Sequence, residues 1–107
     1  MELLDALLDS WDRQTRIVDA VASLVNEENR HALPSPDGKP LDRQLAHIHG
    51  TRVGWLSQAS PKHAEGLNQI DWNGDLDEIR AALARSGEAV GAATRELLIS
   101  GAEKAGP

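Results

Sequence analysis

At 107 residues the chain can build one hydrophobic core but not two independent ones, so a single domain over residues 1–107 is expected. With 40% hydrophobic and 26% charged residues it has the composition of chains that fold, and a net charge of −6 supplies no basic footprint for nucleic acid. The absence of cysteine excludes disulfides, thiolate metal sites and cysteine nucleophiles and suits a reducing compartment, which makes a cytoplasmic location the expectation.

The N-terminal stretch "MELLDALLDSWDRQ" carries acids within its apolar run and has no basic leader, and no apolar run of membrane-spanning length follows. Neither secretion nor membrane insertion is expected. Leu4, Leu7, Leu8, Trp11, Val18, Val21, Ala22 and Val25 recur at three- and four-residue steps, while Asp5, Asp9, Asp12, Arg13, Arg16 and Asp19 fill much of the remainder. The pattern predicts an amphipathic helix over about residues 2–28. The stretch "NEENRHALPSPDGKP" then turns the chain, since each proline disfavours helix in the residue before it. Pro40 suits the first position of a second helix, whose apolar series Leu41, Leu45, Ile48, Trp55 and Leu56 predicts a span from about Pro40 to about Gln58. "ASPKHAEGLNQIDWNGD" reads as a connection with about one helical turn in it, pinned to the bundle by Ile70 and Trp72. Asp75 and Glu78 have the spacing of a capping box, and Leu76, Ile79, Leu83, Val90, Thr94, Leu97 and Leu98 mark one face of a third helix over about residues 76–101. Gly87 and Gly91 fall in that stripe, which predicts close approach of another helix backbone. No segment alternates as a strand does. The expected fold class is all-α, an up-and-down helical bundle of three long helices with Trp11, Trp55 and Trp72 packed in its core.

The chemistry available is narrow. Neither a G-x-S-x-G elbow nor a glycine-rich phosphate loop occurs, so acyl transfer and nucleotide binding by those routes are not expected. Histidines and carboxylates are left. His47 and His49 stand two residues apart and point about 160° from each other on a helix, so both cannot face one metal. On a helical wheel His49 lies at one edge of the apolar stripe and His47 at the other. His31 and His63 fall in connections and read as solvated residues. Arg52 is expected to pair with an acid on its own or a neighbouring helix.

The stretch "RQLAHIHGTRVGWL", together with "LLDSWDRQTRIVDAVASLV" and the proline-glycine turn between them, resembles the DinB-like family of four-helix bundles over about residues 3–60. Trp11, with Thr15 or Arg16, answers loosely to that family's first helix. His47, Ile48, Arg52, Trp55 and Leu56 answer to its second. The resemblance implies that His47 takes the metal-ligand position, with His49 as the weaker alternative. It also implies a divalent metal (Zn, Ni, Fe or Mn) serving a transferase or hydrolase that acts on a small-molecule or thiol substrate. The family's H-x-x-x-H pair on a fourth helix has no counterpart here, so the implied site is incomplete and no catalytic residue is assigned. The alternative is a non-catalytic helical interaction module that keeps the bundle without the metal. Three helices would leave a face prepared for a fourth uncovered, which makes a homodimer the expected state.

Overall fold

The computed structural model describes residues 2–105, with side chains described for residue 3 and for residues 5–100. It has four helices, α1 (Glu2–Leu24), α2 (Leu41–Ala59), α3 (Pro61–Ala64) and α4 (Leu76–Ala105), and no strand among the described residues. The all-α expectation holds. None of these helices is long and apolar enough to cross a membrane.

Local chemistry sets the helix ends. The helical period runs on to residue 28, yet α1 stops at Leu24 because two asparagines offer the backbone other partners. Asn29 donates its amide to the Leu24 carbonyl at 2.9 Å, and the Asn26 side-chain oxygen accepts from the N–H groups of Glu28 and Asn29 at 2.9 and 3.0 Å. Pro40 precedes α2 with φ of −53° and leaves Leu41 as its first helical residue. At the start of α4 the Asp75 carboxylate accepts from the N–H of Asp77 at 2.7 Å. The expected capping box is half made, since the Glu78 side chain lines a surface cleft instead.

The directions of the helices follow from their contacts. α1 runs antiparallel to α4, with Arg80 against the carbonyls of Ala22 and Val25 at one end and Trp11 against Gly87 and Gly91 further along. α2 runs parallel to α4: Arg52 reaches Leu83, and Lys62, just past α2, reaches Glu96. Residues 65–75 therefore travel back along α2, where Asn68 meets His49 and Gln69 meets Gly50. This return leg takes the place that a third rod occupies in an up-and-down bundle, and the alternation of up and down is kept.

α4 is the central element, with α1 on one side and α2 and α3 on the other. One cluster joins Ala22 and Val25 of α1, Leu45 of α2 and Leu76, Ile79 and Leu83 of α4, with Ile70 of the return leg packed against it as expected. A smaller cluster joins Leu56, Val90 and Ala93, with Trp11 and Leu67 at its border. Gly87 and Gly91 are closely approached, by side chains of α1 and α2 rather than by the helix backbone that was expected. A Cβ on Gly87 would sit 3.0 Å from the Thr15 methyl, and one on Gly91 would sit 3.1 Å from the Trp11 indole nitrogen.

Two tryptophans correct the expected core. Trp55 is 44% exposed and Trp72 is 38% exposed, whereas Trp11 packs inward and donates its indole N–H to the Gly87 carbonyl at 3.1 Å. The cause lies in α2, whose buried stripe is Asp42, Leu45, Ala46, His49, Arg52, Val53 and Leu56. A stripe drawn through apolar residues alone turns the helix toward Trp55. The true stripe includes three polar residues, Asp42, His49 and Arg52, each of which bonds to a partner through at least one of its polar atoms. Leu7, Val21 and Leu97, also expected inside, are exposed as well, and Leu4 lies outside the described side chains.

Candidate functional site

Each polar residue on the inner face of α2 enters a different constellation. Asp42 is fully buried, and its carboxylate accepts from Arg30 Nε at 2.8 Å and from the Arg43 N–H at 2.8 Å. Arg30 spends its remaining donors on the Glu27 carboxylate at 3.2 Å, the Trp72 carbonyl at 3.3 Å and the Gly74 carbonyl at 2.6 Å. The bond to Asp42 raises the Arg30 guanidinium above its ordinary range, partly opposed by burial. One side chain thus joins the α1–α2 connection, the start of α2 and the end of the return leg. His31 approaches the same carboxylate, its Nδ1 3.4 Å from Asp42 Oδ2.

Among the described residues Arg52 has no ion-pair partner, where one was expected. It is buried between α2 and α4, donates to the Leu83 carbonyl at 2.9 Å and the Ser86 hydroxyl at 3.4 Å, and lies over the Trp11 ring at 5.5 Å from its centre. Burial lowers its pKa from the ordinary value, and the field of Asp19 partly restores it. Arg80 plays a matching part at the end of α1, donating Nε–H to the Ala22 carbonyl at 3.1 Å and a second bond to the Val25 carbonyl. The Ala22 carbonyl also accepts from the Val25 N–H at 3.2 Å, and Arg80 adds a second donor there and one to Val25 just past the helix, so it caps α1 from another helix.

The two candidate metal ligands part company. His47 is exposed on the outside of α2, beside Lys39, Arg43 and Trp72. His49 is the inward histidine, 1% exposed. Its Nε2 lies 2.7 Å from the Asn68 carbonyl, and because a carbonyl only accepts, Nε2 carries the hydrogen. Nδ1 is buried and has no hydrogen-bond partner among the described residues. The imidazole forms part of the wall of a cleft of about 320 Å³ shared with Leu67, Asn68, Ile70, Glu78 and Arg85. A structural or catalytic divalent metal needs at least three protein donors converging on one point. Among the described residues no three histidine or carboxylate side chains do so. The donor set does not fit the metal that the resemblance implies.

His63, read from the sequence as solvated, is half-buried and sits between two partners. Its Nδ1 is 2.6 Å from the Ser60 hydroxyl and its Nε2 is 3.3 Å from the Glu96 carboxylate, which Lys62 also pairs with. Lys62 lowers the Glu96 pKa below the usual carboxylate range. Ser60, His63 and Glu96 stand in the order hydroxyl, imidazole, carboxylate. Residue 61 is a proline, and the His63 N–H is spent on the Ser60 carbonyl at 2.9 Å. These contacts fix the corner between α2 and α3.

No protein-family model matches the chain, and no curated protein or solved structure matches it. The site is therefore read from its own geometry.

Proposed function

We propose that the chain is a non-catalytic helical interaction module working in a reducing compartment, the cytoplasm. The observation that carries this reading is a surplus of surface. The chain exposes 7017 Å². A compact monomer of its 11.6 kDa would expose about 5,800 Å² on the scaling of surface with mass. Its radius of gyration of 15.7 Å likewise exceeds the roughly 13 Å of a compact chain of this length. Much of what is exposed is apolar, including Leu3, Leu7, Ile17, Val21 and Leu24 on α1. Exposed apolar side chains concentrated on one helix mark a place where another molecule packs. The DinB-like transferase or hydrolase has less behind it, because one bare imidazole nitrogen stands where three ligands are needed.

The test is metal content of the untagged protein. Zn, Ni, Fe and Mn are each expected well below one per chain and unchanged in His49→Ala. Stoichiometric metal that disappears in His49→Ala or His47→Ala would overturn the module reading.

A further inference from the structure

The interaction-module reading, on which this inference rests, leaves the partner open, and the outward face of α1 names it. Leu3, Leu7, Ser10, Gln14, Ile17, Val21 and Leu24 follow one another at steps of 4, 3, 4, 3, 4 and 3 residues, and every one is exposed. This is the alternation of a coiled-coil seam held over three heptads. The exposure is large where the residues are apolar: 67% for Leu3, 43% for Leu7, 63% for Ile17, 48% for Val21 and 73% for Leu24. The seam is separate from the face that packs on α4, which is built from Trp11, Thr15, Val18, Ala22 and Val25. α1 thus has two packing faces and a partner for one of them.

We propose that the unpartnered seam of α1 is the two-fold interface of a homodimer, packed against the same seam of a second copy with Gln14 at the axis. Three features select a second copy. The seam is self-complementary: its apolar residues lie at both ends and its two polar residues, Ser10 and Gln14, lie in the middle. In either polarity Gln14 meets Gln14 of the other chain and apolar ends meet apolar ends, and a buried polar pair of this kind sets register. Among the described residues the charge beside the seam, Arg13, is paired within the helix with Asp9 at 2.9 Å, and Arg16 further round the helix pairs with Asp12 at 3.4 Å. The area also agrees. The chain exposes 7017 Å², more than the roughly 5,800 Å² of a compact monomer of its mass, and the seam's apolar residues are among those exposed.

The experiment is light scattering on the full chain from about 1 to 100 μM, with three variants. The wild type is expected to reach the mass of a dimer, and Ile17→Asp, which puts a charge into the seam, to weaken dimerisation at least about tenfold with helical circular dichroism unchanged. Since the chain has no cysteine, Gln14→Cys under mild oxidation should form a disulfide-linked dimer. Asp19→Cys, on the opposite side of α1, should not. A wild type that is monomeric throughout, or a dimer that survives Ile17→Asp and gives no Gln14→Cys cross-link, overturns the proposal. Neither result would touch the module reading, which stands or falls on metal content.

Discussion

Where α1 ends and α2 and α4 begin, every long helix has neighbours on two sides, and arginines bind the chain segments together. Arg30 holds three segments at once, Arg80 closes the end of α1, and the larger apolar cluster lies beneath them. At the other end α2 has already turned at Ser60, the apolar cluster is smaller, and α1 and α4 run on with little but each other to pack against. The first end buries charge safely because each donor and acceptor finds a partner. Apolar residues stay in water at both ends, Leu3, Leu7 and Leu97 at the second and Val21 and Leu24 at the first, so the outward face of α1 is uncovered along its whole length while its inner face is packed.

The contrast can be broken or sharpened by substitution. Leu83→Ala, at a fully buried position in the larger cluster, is expected to cost about 2–5 kcal/mol in urea unfolding, whereas Leu7→Ala on the seam should change the stability of dilute monomer by less than about 0.5 kcal/mol. If the two costs were similar, the seam would already be packed within the chain. Asp42→Asn preserves shape but removes the charge that Arg30 bonds to, and a loss of about 1.5–3 kcal/mol is expected from the same measurement. Trp11→Phe keeps the ring in the groove of α4 and deletes only the indole hydrogen bond to Gly87, so a smaller loss of about 0.5–1.5 kcal/mol should appear in the unfolding midpoint.

The smallest effect belongs to Glu96. Its carboxyl is held below the usual range by Lys62, so its contribution is present above its ordinary pKa of 4.5 and is lost as pH falls through the lowered folded-state value. The difference in melting temperature between wild type and Glu96→Gln should therefore be visible at pH 7 and vanish in strong acid. A difference that grew on acidification would mean that Glu96 is held in its protonated form.

Element type was legible in the apolar periods: three long helices, the turn through the prolines and one helical turn within the second connection all appear, with α1 ending at Leu24 instead of near residue 28. The rotation of α2 was not. Asp42, His49 and Arg52 count as surface residues in any reading by polarity, and their burial depends on partners distant in the chain: Arg30, Asn68 and Leu83. The wheel placed His49 at an edge of the apolar face and the family pattern favoured His47; the packing of the return leg against His49 and Gly50 turns His49 inward. Arg30 and Arg80 gave no signal at all, because an arginine that caps distant carbonyls looks in sequence like any solvated one.

The return leg has a bearing on the order of synthesis. Arg30 takes two of its acceptors from Trp72 and Gly74, Arg52 takes its own from Leu83, and the C-terminal carbonyls of α1 wait for Arg80. A nascent chain that has extended through α2 already holds the Arg30–Asp42 pair but lacks the Trp72, Gly74 and Leu83 carbonyls that take the remaining donors of Arg30 and Arg52. Closure of this core therefore awaits α4, which supplies the Leu83 carbonyl to Arg52 and Arg80 to the end of α1.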